Sequence, residues 1–399
     1  GRVSPVQTQP NPQSVSGIGV VVLQSLPGLG YRTGWLRPMQ KAPLDSLKRI
    51  GAFSVRNQSL LVEISPVSGN ITRLTQLAPK KEWIPIKTES ARFRIDYESP
   101  HPASAWDIGP IEKTEWLDKA ERVECIEEGP VRIVFRAFYK HGQSVLEKDI
   151  ILYRDLSRLD FGVRVDWREH GSSSAPAPML RIEFPCAMNS AKAIHLIPFG
   201  EIDRPQDGTD YAASYGMGLD GREGSVCLLN NSKSGYSCTN NTIRLTLLRS
   251  PYFPDALPDV GRHTIPLALE ISSKKWSHAA MARRGLEFNR RPIAISVAPH
   301  DGKFPTEQSF FSIEPQTVLL TALKASYDSP TNLVLRIYQS ANQPVKVKVN
   351  TSLPFKKWIE TDLIERPSQE SANPDSLSLK RWEIKTYQFT PESRRDRLP

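Results

Sequence analysis

Residues 158–167 read RLDFGVRVDW, and apolar side chains occupy every second position of this stretch, from Leu159 to Trp167. Strict alternation over ten residues is typical of a β-strand with one face buried and the other in solvent. Strand-length apolar runs recur at residues 51–64, 131–139, 242–248 and 331–338. The 33 prolines and many turn residues interrupt these runs, and amphipathic helical stretches are nearly absent. The pattern predicts an all-β protein built from large antiparallel sheets.

One stretch departs from this pattern. Residues 275–289 (KWSHAAMARRGLEFN) place Trp276, Ala279, Ala280 and Met281 at helical spacing, which predicts a short connecting helix.

Near the start of the chain, residues 17–31 read as a strand and a turn whose partner is expected mostly outside this sequence. The predicted segments are a linker with this orphan strand (1–37), a large β-domain (38–272), a helical connector (273–292) and a small C-terminal β-sandwich (293–399).

Composition restricts the function classes. The net charge is +9, but lysine and arginine are spread along the chain and form no basic block, so a nucleic-acid partner is not expected. No uninterrupted apolar run of 18 residues occurs, so no membrane span is predicted. Without a signal peptide in the sequence, a cytoplasmic location is the expectation. Because the chain starts at Gly1 and not at methionine, we also expect it to be a piece of a longer polypeptide.

The four cysteines lack the paired spacing of a structural zinc site. Reduced, buried thiols are the favoured interpretation, because a chain of this length does not need disulfides to fold. A single bond between Cys227 and Cys238 stays open, since the two residues would face each other if they flanked a hairpin.

A longer motif carries a family resemblance. Residues 222–270 contain LLNNSKSGY (228–236), then LLRSP (247–251), then Pro254-Asp255, Asp259, Gly261 and His263. This order of residues is similar to that in the C-terminal domain of family 38 α-mannosidases. Flanking segments resemble the same family in the same order, so the likeness extends from about Val20 to Phe389. The flanking segments are LPGLGY (26–31), SLLVEISPVSGNITRL (59–74), WD (106–107), EEGPV (127–131), LYRD (152–155), DWRE (166–169), PFGEIDRP (198–205), VLLTALK (318–324), LRIY (335–338) and WEIKT (382–386).

The resemblance implies a fold and an activity. The fold is a galactose-mutarotase-like supersandwich followed by a smaller β-sandwich, and the activity is that of a zinc-dependent retaining α-mannosidase acting on mannose-containing oligosaccharides or glycosides. The family carries its zinc ligands and its nucleophile on another domain, and none of the seven histidines here begins an H-x-D motif. We therefore expect no cofactor in this chain, zinc in a catalytic domain joined to it in cis or in trans, and no activity from the chain alone.

Two departures from the family pattern concern the sugar-binding region. Residues 207–221 (DGTDYAASYGMGLDG) replace a longer family stretch that contains a glutamate and a tryptophan-bearing strand. Asn231 stands where the family commonly has aspartate, which removes a negative charge near Lys233. The aromatic wall or sheet edge formed by the longer stretch is therefore in doubt for this chain.

The resemblance also implies substrate-binding residues. Arg249 is expected to line the mannose pocket of the intact enzyme, with a salt bridge to Asp255 or Asp259 as the open alternative. Lys233, Asn230 and Tyr236 are further candidates for sugar contact. They lie in a predicted hairpin turn, however, where asparagine and glycine are favoured for backbone reasons alone.

Other residues receive structural interpretations. Trp106, next to Asp107, is predicted to be buried, although stacking on a sugar is the alternative. His263 is expected to bridge the loop that holds Asp255 and Asp259. Asp166 and Glu169 are interpreted as structural, and no catalytic residue and no metal ligand is predicted in this chain.

Two rival functions remain open. The first is a separately encoded carbohydrate-binding or scaffold module that pairs with a catalytic subunit. The second is part of a mannosylglycerate-type hydrolase, which shares the architecture.

Overall fold

The computed structural model describes residues 6–10, 18–22, 26–35, 46–276, 278–368 and 372–392. Strands dominate these residues, which divide into two compact units. The first unit comprises residues 1–23, 39–197 and 202–276, and the second comprises 24–38, 198–201 and 277–399.

The elements are as follows in chain order. The first ten strands are β1 (Val6–Pro10), β2 (Ile18–Val22), β3 (Gly30–Arg32), β4 (Lys48–Gly51), β5 (Ser54–Arg56), β6 (Leu60–Ile64), β7 (Ile71–Leu77), β8 (Lys80–Glu82), β9 (Arg92–Glu98) and β10 (Ile111–Trp116). The next are β11 (Arg122–Glu128), β12 (Arg132–His141), β13 (Ser144–Tyr153), β14 (Arg158–Trp167), β15 (Ala177–Pro185), β16 (Lys192–Ile197), β17 (Gly200–Arg204), β18 (Tyr211–Ala212), β19 (Gly216–Gly221), β20 (Gly224–Asn230), β21 (Gly235–Thr239), β22 (Thr242–Arg249) and β23 (Gly261–Ser272). Helix α1 (His278–Asn289) precedes β24 (Glu307–Ser309), β25 (Phe311–Glu314), β26 (Val318–Ala325), β27 (Leu333–Gln339), β28 (Val345–Thr351), β29 (Phe355–Thr361), β30 (Leu377–Leu379) and β31 (Ile384–Pro391).

The first unit is a supersandwich. Its largest sheet has nine strands in the order β11-β12-β13-β14-β23-β20-β19-β16-β17, and a six-stranded sheet has the order β10-β9-β15-β22-β21-β18. A five-stranded sheet, β4-β5-β6-β7-β8, and the pair β1-β2 complete the unit. Strand β14 coincides with the alternating stretch 158–167, and its apolar side chains are all in the hydrophobic core. The burial of one face explains the period of two in the sequence.

The second unit is smaller. A four-stranded sheet, β26-β27-β31-β29, and a three-stranded sheet, β25-β28-β30, enclose a core of their own. In that core the Trp358 and Phe389 rings stack with their centroids 4.7 Å apart. The all-β prediction, a supersandwich followed by a smaller β-sandwich, is confirmed.

Several local predictions are wrong. The orphan strand has partners inside the chain, because β2 pairs with β1 and β3 pairs with β24. Residues 51–64 form parts of separate strands joined by tight turns, and not one run. The predicted hairpin at 230–235 is a crossover, since β20 belongs to the nine-stranded sheet and β21 to the six-stranded sheet.

The cysteines and the helix agree better with the sequence. All four cysteines are free thiols, so the open bond between Cys227 and Cys238 is not formed. Burial raises the pKa of the Cys238 thiol to about 12 and also raises that of Cys186. Helix α1 lies within the segment predicted to be a helical connector.

Candidate functional site

Arg249, the last residue of β22, forms a buried ion pair that sequence reasoning did not anticipate. Its Nη2 donates to both carboxylate oxygens of Glu98, at 3.1 and 2.8 Å. Strand β15 lies between the two strands that carry this pair, with Met179 opposite Arg249 and Ala177 opposite Glu98. The sheet register therefore brings together two residues that are 151 positions apart in sequence.

The alternative prediction, a salt bridge from Arg249 to Asp255 or Asp259, is wrong. Its guanidinium donates to Glu98 and to the carbonyl oxygens of Ser104 (3.0 Å) and Asp107 (2.9 Å), and Asp259 instead accepts the backbone N–H of Arg249 at 2.9 Å. A charge-assisted pair with two added backbone acceptors is strong and directional. Arg249 therefore fixes the loop at residues 99–110 as well as the end of its own strand.

Glu98 is the centre of this arrangement. It is almost fully buried, and one carboxylate oxygen also accepts hydrogen bonds from His101 Nε2 (2.7 Å) and from the backbone N–H of Gly109 (2.8 Å). A buried carboxylate is stable only when it is paired and hydrogen-bonded, and here both conditions hold. Glu98 thus ties both ends of the loop 99–110 to β9.

The loop at residues 250–260 is attached to the loop at 99–110. The Ser104 hydroxyl oxygen accepts the backbone N–H groups of Tyr252 (3.3 Å) and Phe253 (3.2 Å), and the Tyr252 hydroxyl donates to the carbonyl of His101 at 2.9 Å. These contacts hold the two loops together at the end of the six-stranded sheet.

The joined loops present two aromatic side chains to solvent. Trp106 is 67% exposed and Phe253 is 52% exposed, and their ring centroids lie 6.2 Å apart at an interplanar angle of 47°. The prediction that Trp106 is buried is therefore wrong. Aromatic faces offer an apolar surface on which the C–H face of a sugar can stack. We call Trp106, Phe253, Arg249 and Glu98 the aromatic platform.

The other predicted site residues lie around the crossover at 230–235. Asn230 is fully buried, and its Oδ1 accepts the backbone N–H groups of Ser232 (2.9 Å) and Lys233 (2.6 Å), while its Nδ2 donates to the Tyr236 hydroxyl. Tyr236 is also fully buried, and burial raises the pKa of its hydroxyl well above the usual range. The structure places both side chains in the core, and Asn230 Oδ1 holds the backbone of the crossover through its two hydrogen bonds.

Lys233 differs from both. It is half-buried, and within the described part of the chain its ammonium forms no hydrogen bond. Burial lowers the pKa of Lys233, and the negative charge of Asp259 opposes this effect. His263 Nε2 donates to the carbonyl of Asp259 at 2.7 Å, so the expectation that His263 bridges this loop is confirmed. Asp259 therefore connects Lys233 electrostatically to the strand end at Arg249.

The remaining carboxylates of interest have structural partners. Asp166 pairs with Arg168 at 2.7 Å, and Glu169 accepts hydrogen bonds from the Gln143 backbone and the Ser144 hydroxyl, both at 2.9 Å. Their interpretation as structural residues agrees with these contacts. In the described ranges, no three His, Cys, Asp or Glu side chains are grouped so that they would hold a metal ion.

Sequence reasoning missed Glu98, Ser104 and Phe253. A signal existed for Glu98, because polar residues alternate along RFRIDYE (92–98) and so predict a strand with one polar face. Ser104 and Phe253 lie in irregular loops, where no periodic pattern indicates which side chains meet.

Comparison with known proteins gives the class and then the family. Residues 55–257 match the glycosyl hydrolases family 38 C-terminal domain, which places the chain among the glycoside hydrolases. Residues 317–387 match the family 38 C-terminal beta sandwich domain. The chain belongs to glycoside hydrolase family 38 and carries C-terminal domains of that family, as the resemblance predicted.

Individual relatives agree. The chain is 26% identical over 385 residues to human alpha-mannosidase 2C1, covering 91% of this chain and 36% of that protein. It is 28% identical over 287 residues to alpha-mannosidase G of Dictyostelium discoideum, covering 67% of this chain and 26% of that protein. It therefore spans about a third of the length of the curated relatives it matches.

A solved structure shares the fold. The crystal structure of a family 38 protein from Enterococcus faecalis aligns with a TM-score of 0.75 at 13% identity, over 97% of this chain and half (50%) of that one.

Within the described ranges, no helix is both long enough and apolar enough to span a lipid bilayer.

Proposed function

We propose that this chain is the non-catalytic C-terminal portion of a zinc-dependent retaining α-mannosidase that hydrolyses terminal α-mannosides. In that enzyme it supports the catalytic domain, and its aromatic platform lines part of the sugar pocket. Zinc belongs to the catalytic domain in this proposal, and the substrate is a mannose-containing oligosaccharide or glycoside.

The aromatic platform is the observation that carries the proposal. Trp106 and Phe253 are exposed large aromatic side chains, and buried ion pairing at Glu98 and Arg249 holds the loops that present them. Sugar sites combine an apolar surface with a few fixed polar groups. Lys233 is our candidate for such a group, because it is half-buried and interacts electrostatically with Asp259, in the same loop as Phe253.

The carboxylates of Glu98, in the platform, and of Asp259, beside it, support a binding role over a catalytic one. Retaining hydrolysis needs a nucleophilic carboxylate and an acid/base carboxylic acid about 5 Å apart. Glu98 is already bound by Arg249, His101 and a backbone N–H, and Asp259 accepts the backbone N–H of Arg249. Neither is free to attack a sugar or to exchange a proton with it.

Replacement of Trp106 tests this role in the enzyme assembled from the chain and its catalytic domain. W106A is expected to raise KM for an aryl α-mannoside about tenfold, because loss of a stacking surface costs roughly 1–1.5 kcal/mol. Y327A is the matched control, since Tyr327 is an exposed aromatic residue of the second unit. Equal KM values for W106A and Y327A would refute the pocket-lining role.

A separate carbohydrate-binding module is the second candidate, and the exposed aromatic pair favours it as well. Such a module binds sugar without a catalytic partner. Calorimetric titration of the chain alone with mannose and with α-linked mannobiose separates the two functions. Binding that W106A abolishes would favour the module, whereas the α-mannosidase proposal predicts no measurable binding until the catalytic domain completes the pocket.

A further inference from the structure

A segment without assigned secondary structure follows helix α1. Residues 293–297 carry β-branched apolar side chains at alternate positions, and Ile293 (87% exposed), Ile295 (78%) and Val297 (66%) all face solvent. The structure assigns no strand to this segment. No described residue forms a backbone hydrogen bond to residues 291–300.

The sequence of this segment is nevertheless that of a strand. The run IAISVA is rich in β-branched residues with period-two alternation, and prolines at 292 and 299 bound it. An exposed apolar strand with free backbone groups is a template for pairing with another strand. Contiguous exposed apolar surface usually marks an interaction site.

Two further exposed aromatic residues of the same unit flank the paired strands β3 and β24. Strand β24 pairs with β3 in a register that places Glu307 opposite Arg32, and the backbone bond from Thr33 to Thr306 continues it at 2.8 Å. Trp35, which follows β3, and Phe304, which precedes β24, are both exposed. We call Ile293, Ile295 and Val297 the apolar strip; these residues, Phe304 and Trp35 all belong to the second unit.

We propose that the apolar strip binds an extended, apolar strand of the catalytic polypeptide of the same enzyme, which adds to the free edge of residues 292–298. This inference rests on the proposed function and names the surface through which the catalytic polypeptide is held. The length of the relatives supports this choice of partner, in addition to the exposure of the strip. The chain spans 36% of human alpha-mannosidase 2C1 and 50% of the Enterococcus faecalis protein, so these family members contain much additional polypeptide. A second copy of this chain is disfavoured by its net charge of +9.

Binding of the separately expressed catalytic polypeptide to this chain tests the proposal. I295D introduces a charge in the centre of the strip and is expected to weaken binding at least tenfold. I86D is the matched control, because Ile86 is 91% exposed in the first unit, and it is expected to change binding less than twofold. Hydrogen exchange should show that the backbone amides of residues 293–297 become protected in the wild-type complex.

The outcomes distinguish this inference from the proposed function. If the catalytic polypeptide binds and turns over substrate, but I295D binds as well as I86D, the strip is not the docking surface and the proposed function stands. If the catalytic polypeptide does not bind the wild-type chain at all, the proposed function fails and the inference with it. If light scattering shows a dimer of the chain alone that I295D dissociates, the occupant is a second copy and the inference is wrong.

Discussion

Lys148 provides the sharpest test of the supersandwich core. Its side chain is completely buried, and its Nζ donates to Asn70 Oδ1 at 2.7 Å and to the carbonyl of Ala91 at 2.5 Å. A neutral amine has two N–H groups, which match these two acceptors. The rings of Phe93 and Tyr139 lie 5.0 and 5.2 Å from Nζ and favour a cation. Burial nevertheless lowers the pKa of Lys148 to about 7.

The lowered pKa makes stability depend on pH. Between pH 7 and 10.5 the unfolded chain binds a proton at Lys148 that the folded chain does not, so the free energy of unfolding rises with pH. This contribution is complete above pH 10.5 and is lost as pH falls to 7. From pH 9 to pH 7 the loss is about 2 kcal/mol, because a full pH unit inside the window corresponds to about 1.4 kcal/mol.

Substitution by methionine keeps the length of the side chain and removes the amine. Urea unfolding followed by circular dichroism at pH 7, 8 and 9 should show that K148M lacks the 2 kcal/mol rise of the wild type. K140M, which replaces an exposed lysine of β12, is expected to retain it. Wild-type and K148M stabilities that stay parallel from pH 7 to 9 would refute the assignment of a neutral Lys148.

Two further predictions concern the first unit. His195 is buried against the Tyr211 and Tyr236 rings, and burial lowers its pKa to about 4. As pH falls below 6.5, His195 therefore binds a proton in the unfolded chain before it does so in the folded chain, and the free energy of unfolding falls. In the same urea assay, the wild type should lose about 2 kcal/mol more than H195F between pH 7 and pH 5, and equal losses would contradict this. Gly69 has a φ of +65°, and a Cβ there would lie 2.8 Å from the Tyr139 hydroxyl. G69A should therefore lower the melting temperature and reduce the free energy of unfolding by more than about 1 kcal/mol. G28A is the control and should change neither, because no atom would lie within 4 Å of its Cβ.

Periodic patterns predicted the regular parts of the fold well. The alternation at 158–167 predicted β14 with its bounds, because one face of that strand packs in the core. Helix α1 starts three residues after the predicted first residue and ends where predicted, at Asn289. In both cases the signal is local: it depends on which face of a single element is buried.

Long-range pairing was not predictable in the same way. Strand β3 pairs with β24, more than 270 residues later, so a local pattern could not identify its partner. Glu98 and Arg249 meet only because β9 and β22 both pair with β15. Trp106 was expected in the core because tryptophan is usually well buried, but hydrogen bonds to its loop hold it outward. The candidate site depends on these distant contacts, so the sequence indicated Arg249 but not its surroundings.

Turnover of an aryl α-mannoside by this chain alone, with zinc added, tests the central claim most directly. The proposal that bond cleavage belongs to another domain predicts no hydrolysis above the rate in buffer, while the same assay with the catalytic domain present gives turnover. Hydrolysis by the isolated chain at a rate comparable to that of an intact α-mannosidase would contradict it, since a catalytic centre would then lie within these 399 residues.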